Sequence, residues 1–125
     1  MKGIEIILLA AGGIVGTFLR YKIIESPLLF GSLPISVLLV NVIGSFVLGL
    51  FVVTSQQWNI DGKYALFVAF GFCGSLTTMS ALALDTSNLM ENKQFYLTAV
   101  NVLANVGLSI GAVFGGKALM TALTN

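Results

Sequence analysis

Histidine is absent from this chain, and cysteine occurs once, as Cys73. Without a second cysteine no disulfide forms within one chain, and a zinc-type site lacks its usual nitrogen and sulfur ligands. Charge is scarce too. Only 9% of the 125 residues are Asp, Glu, Lys or Arg, against roughly 25% in a soluble domain. The net charge of +1 implies neither nucleic acid nor an acidic partner. With no histidine, and with Cys73 in an apolar setting, no base or nucleophile has a partner, so an enzyme is not expected. What is present is apolar: 57% hydrophobic residues and a mean hydropathy of +0.99. A soluble reading is excluded. The expected class is an all-α integral membrane protein surrounded by lipid.

A spanning helix needs about 20 mostly apolar residues, and the chain offers four such stretches, about 3–24, 34–55, 63–90 and 94–122, in a single domain covering 1–125. Glu5 interrupts the first apolar run, which continues to Leu19, so a cleavable signal is not expected. Glu25, Ser26, Pro27 and the Gly31–Pro34 stretch read as a loop, with Pro34 in the first turn of the second helix, where its missing N–H costs little. Gln56–Gly62 reads as a polar turn, and Glu91, Asn92 and Lys93 close the third span. Trp58 and Tyr64 read as interfacial anchors.

Orientation follows from the basic residues. Lys2, Lys63 and Lys117 fall on one side of the membrane; Arg20, Lys22 and Lys93 fall on the other. The positive-inside rule has no imbalance to act on. Both insertions are then nearly equal in energy, which predicts dual topology and, as its simplest assembly, an antiparallel dimer. Gly12 and Gly16, and Gly107 and Gly111, stand at GxxxG spacing, which lets helix backbones approach closely.

The third apolar stretch is odd. Gly71-Phe72-Cys73-Gly74-Ser75-Leu76-Thr77-Thr78-Met79-Ser80 puts two glycines and four hydroxyl residues into ten positions at membrane depth. Polar backbone there is tolerated only when buried in protein or lining a cavity. A helix broken near its middle, beside a pathway, is predicted. Asn41 on the second helix, and Asn101, Asn105 and Ser109 at i+4 steps on the fourth, add amide and hydroxyl groups to one polar seam. No carboxylate sits near mid-membrane in the first, second or fourth helix, and Asp85 falls about two turns past the break. A proton-coupled exporter of cationic compounds would want such a group. Neutral donors instead suit passive passage of a small ion, with a leaning toward an anion, while carbonyls opened by a helix break can hold a cation.

Three motifs resemble a known family. Gly12-Gly13-Ile14-Val15-Gly16-Thr17-Phe18-Leu19-Arg20-Tyr21, Asn41-Val42-Ile43-Gly44-Ser45-Phe46-Val47-Leu48-Gly49 and Gly71-Phe72-Cys73-Gly74-Ser75-Leu76-Thr77-Thr78 are similar, in order and spacing, to the small dual-topology fluoride channels (Fluc, also called CrcB). The resemblance covers the whole chain. It implies a passive, fluoride-selective channel that confers fluoride resistance, works as an antiparallel dimer in the cell membrane, and holds a structural sodium ion at the dimer centre by the Gly74 and Thr77 carbonyls. It implies Asn41 as a fluoride donor, Ser80, Asn105 and Thr78 along a polar track, and Arg20 in a vestibule. One departure stands out. Where the family continues TTFSTF, this chain reads Thr77-Thr78-Met79-Ser80-Ala81-Leu82, so Met79 and Leu82 occupy both aromatic pore positions. The partner is therefore either a second copy or a homologous second subunit. Further alternatives are a small dual-topology drug exporter and a non-conducting membrane subunit.

Overall fold

The computed structural model describes residues 1–26 and 28–125; Pro27, which the sequence places in the first loop, lies outside them. Four spans are long and apolar enough to cross a membrane: Gly3–Glu25, Ser36–Gln57, Lys63–Glu91 and Phe95–Thr124. The first, α1 (Gly3–Glu25), and the second, α2 (Ser36–Gln57), are continuous, as is the last, α6 (Phe95–Thr124). The third is built from α3 (Lys63–Ala65), a π-helical stretch (Leu66–Cys73), α4 (Gly74–Leu76) and α5 (Met79–Glu91).

The loop after α1 is more ordered than hydropathy suggests. Leu29–Phe30 (β1) and Leu33–Pro34 (β2) pair antiparallel, with Leu29 opposite Pro34. Gly31 turns the chain at φ 64°, a backbone angle that glycine adopts without strain. Pro34 therefore lies in an extended strand and not in the first turn of α2. The reason is local: Ile35 donates its N–H to the Leu28 carbonyl at 2.8 Å, and Leu28 donates its own to Ser36 Oγ at 2.7 Å. These two bonds hold residues 34–35 against Leu28 and delay the helix to Ser36.

Glycine sets how the spans meet. A Cβ at Gly12 would run into the Phe67 carbonyl, and one at Gly16 into Ser75 Oγ and the Phe72 carbonyl. α1 is thus pressed onto the π-helical stretch, where a Cβ on Gly71 would come within 2.9 Å of Gly12 Cα. On the opposite side, Gly49 of α2 abuts the Val113 carbonyl and Gly116 of α6 abuts the Phe46 carbonyl, so α2 and α6 form the most extensive helix pair. Gly107 and Gly111 meet nothing within 4 Å. Of the two GxxxG pairs, the first packs inside the chain and the second faces outward.

Burial is inverted, as lipid permits. Ile7, Ile14, Phe18, Leu103 and Phe114 are exposed, whereas Ser36, Asn41, Thr78, Asn101 and Asn105 are buried. Lipid accepts the apolar surface, and protein must satisfy the polar groups.

Candidate functional site

The interruption of the third span occurs at Thr77 (φ −79°, ψ 155°) and Thr78 (φ −151°, ψ 123°), both extended. Two features hold it open. Thr77 folds its hydroxyl back onto the Cys73 carbonyl at 2.9 Å, closing α4. Thr78 then caps α5, its Oγ1 accepting from the Ala81 N–H at 3.2 Å, the usual task of an N-terminal threonine. In an unbroken helix the Thr78 N–H would go to the Gly74 carbonyl and the Ala81 N–H to the Thr77 carbonyl. Here the first donates to Asn41 Oδ1 at 2.8 Å and the second to Thr78 Oγ1. The Gly74 and Thr77 carbonyls are left without their helical donors, and Gly74 is exposed on the surface of the single chain.

Asn41, 9% exposed, occupies the gap from α2. Its Nδ2 donates to Asn105 Oδ1 at 2.9 Å and, at the longer distance of 3.3 Å, to the Thr78 carbonyl. Asn105 donates to the Asn101 carbonyl at 2.9 Å and to Asn101 Oδ1 at 3.2 Å. Asn101 donates to Thr86 Oγ1 at 3.2 Å, and Thr86 donates to the Leu82 carbonyl at 2.7 Å. A rail of neutral hydrogen-bonding groups therefore runs from the break, across α2 and α6, to α5.

Beside the break lies an open cavity of about 550 Å³, lined by Asn41, Gly74, Thr77, Thr78, Met79, Leu82, Asn105 and Ser109 among others. None of its lining residues is charged. Met79 is 72% exposed at its open side, and Leu82 is 7% exposed within its wall. Ser80 stands outside the lining but reaches it through its hydroxyl, 3.3 Å from Thr78 Oγ1. Ser109 also belongs to the cavity lining, and its buried Oγ has no hydrogen-bond partner among the described residues. Arg20 is apart from this cavity; its Nε is buried and without a partner among the described residues. Asp85 lines a different cavity, of about 260 Å³, with Ser32, Asn88, Asn92 and Gln94.

The structure thus gathers Asn41, Gly74, Thr77, Thr78, Met79, Leu82 and Asn105 around one space. Thr86 is the member that sequence reasoning missed. No sequence signal singles it out: Asp85, Ser87 and Asn88 surround it, and its partner Asn101 belongs to another helix.

Known proteins are similar to this chain in sequence over most of its length. A channel named "Fluoride-specific ion channel FluC" from Nitrosopumilus maritimus is 64% identical over 123 residues, 98% of either chain. Proteins of the same name from Rhizobium etli, 39% identical over 96% of this chain and 98% of theirs, and from Methanococcus maripaludis, 36% identical over 90% and 93%, are similar along nearly their whole lengths. Residues 7–117 match the family described as "CrcB-like protein, Camphor Resistance (CrcB)". With a broken third span, an amide rail at the break and relatives that it matches over nearly its full length, this chain belongs to the CrcB family, as a multi-pass membrane protein.

Proposed function

We propose that the chain is the subunit of a fluoride-selective channel that lets fluoride leave the cell passively through the cell membrane and so confers fluoride resistance. The observation that carries this is the position of Asn41, buried at the break and bordering an uncharged cavity. Fluoride only accepts hydrogen bonds, and in a low-dielectric site it must be given donors to replace water. Asn41 holds its second N–H on the Thr78 carbonyl at 3.3 Å, the longest link of the rail. That hydrogen is the one it can turn toward an anion. Ser109, Thr78, Ser80 and Asn105 extend the donor set, and Arg20 draws anions toward the mouth. The cavity offers no carboxylate, which weighs against a proton-coupled exporter, and the donor set holds no base–nucleophile pair of the enzymatic kind.

The working assembly is an antiparallel dimer in lipid. Basic residues are balanced between the two sides, Gly107 and Gly111 turn outward, and the cavity opens outward at Met79. The Gly74 and Thr77 carbonyls fit a sodium ion: both are hard oxygens freed of their helical donors, and the same pair from a second copy would complete a ligand shell. Such an ion would add positive charge beside the anion path.

Met79 and Leu82 favour a second reading, in which a homologous subunit supplies the aromatic edges that this chain lacks. Growth separates the possibilities. In cells stripped of fluoride export, this chain alone restores growth in fluoride if a homodimer conducts. Rescue only with a co-expressed homologue supports the two-subunit reading, and no rescue in either setting contradicts both. Asn41→Ala is expected to abolish rescue; full rescue would remove Asn41 from the pathway.

A further inference from the structure

Apart from the bond that Asn41 returns to the Thr78 carbonyl, the bonds of the rail share one direction, and its two ends enforce it. At the break, the Thr78 backbone N–H can only donate, so the Asn41 atom 2.8 Å away must be Oδ1. Asn41 then presents Nδ2 to Asn105, which must answer with Oδ1 at 2.9 Å. Asn105 is left to donate, and both its targets on Asn101 are oxygens. At the far end, the Leu82 carbonyl can only accept, so the Thr86 hydroxyl spends its hydrogen there at 2.7 Å. Thr86 Oγ1 is consequently available to Asn101 only as an acceptor, and Asn101 meets it with Nδ2 at 3.2 Å. A backbone donor at one end and a backbone acceptor at the other thus fix the orientation of three amides between them.

We infer that Thr86 is a positioning residue for fluoride recognition: from the other end of the rail it sets the rotamer of Asn101, and through Asn105 it keeps the Asn41 N–H aimed at the pathway. Thr86 does not line the Asn41 cavity, so it touches no permeating ion there. Its role rests on the fluoride-channel reading, but the relay is a property of the rail itself. Without the hydroxyl, Asn101 Nδ2 has no acceptor and turns to find one. The turn deprives Asn105 of the Asn101 Oδ1 acceptor and loosens its hold on Asn41.

Thr86→Val tests this, because valine keeps the shape and loses only the hydroxyl. Thr86→Ser restores the hydroxyl without the methyl. Two measurements on the full chain are compared. The first is fluoride efflux from liposomes at graded fluoride. Thr86→Val is expected to raise the half-saturating concentration by roughly two- to tenfold, the range that one lost hydrogen bond supplies, with maximal flux less affected. The second is the side-chain amide spectrum of protein labelled with ¹⁵N-asparagine. Thr86→Val is expected to shift the Asn41 signal as well as that of Asn101, and Thr86→Ser to return both toward the parent positions. An unmoved Asn41 signal overturns the relay, and so does a serine variant as altered as the valine one. If the parent chain passes no fluoride either alone or with a co-reconstituted homologue, the channel reading fails and the spectra alone decide the relay.

Discussion

Asn41 carries three hydrogen bonds with a single side chain, to the Thr78 N–H, the Thr78 carbonyl and Asn105 Oδ1. Removing the amide leaves the Thr78 N–H and Asn105 Oδ1 unpaired, each at a cost of about 1–3 kcal/mol when buried. Asn41→Asp separates structure from permeation. A carboxylate still accepts from Thr78, but it offers no hydrogen to Asn105 or to fluoride, and its charge repels an anion. Fluoride efflux is expected to fall at least tenfold while the helical circular-dichroism signal is retained; efflux within twofold of the parent would contradict the assignment. At this scale the sequence was informative where a polar residue interrupts an apolar run. Asn41, Asn101, Asn105, Ser109 and Thr78 could all be picked out on that ground. Thr86 could not, because Asp85, Ser87 and Asn88 surround it and its partner is on another helix.

The helices themselves followed from hydropathy, because lipid forces the backbone to satisfy its own hydrogen bonds. The break followed from glycine and hydroxyl density, since only a site shielded by protein can keep it. Two features were not legible. Pro34 entered a strand because Leu28 binds both Ile35 and Ser36, a contact made across the turn. The Leu66–Cys73 stretch widened into a π-helix, in which Gly74 donates to the Ala69 carbonyl five residues back. Its inner face is shaped by α1 through Gly12 and Gly71, and a one-dimensional pattern does not carry that contact. π-Helical turns recur at functional sites, and this one leads through α4 into the break. Glycine substitutions discriminate the packing. Gly49→Ala forces a Cβ onto the Val113 carbonyl and is expected to destabilise the α2–α6 pair by about 1–3 kcal/mol, read as a lower melting temperature in detergent. Gly107→Ala meets open space and is expected to leave the melting temperature of the isolated chain unchanged. Equal losses from both would show that the assigned faces are wrong.

For the whole molecule, the balance of Lys2, Lys63 and Lys117 against Arg20, Lys22 and Lys93 predicts that the chain inserts both ways. Cys73, the sole native cysteine, is buried, so a cysteine added at a surface position can be read cleanly. In cells expressing Asn92→Cys, a neutral exposed position that leaves the basic residues balanced, a membrane-impermeant thiol reagent is expected to label about half the molecules from outside and the rest only after permeabilisation, as a balanced charge distribution requires. Labelling of all molecules from one side would exclude the antiparallel assembly. The central claim is that neutral donors beside a broken span carry a dehydrated fluoride ion down its gradient. Its most direct test is a fluoride electrode reading efflux from liposomes that hold only the purified chain. The account predicts electrogenic fluoride release without ATP or a proton gradient, restored by a co-reconstituted homologue if the chain alone is silent. Release that requires a proton gradient, or silence with the homologue present, would contradict it.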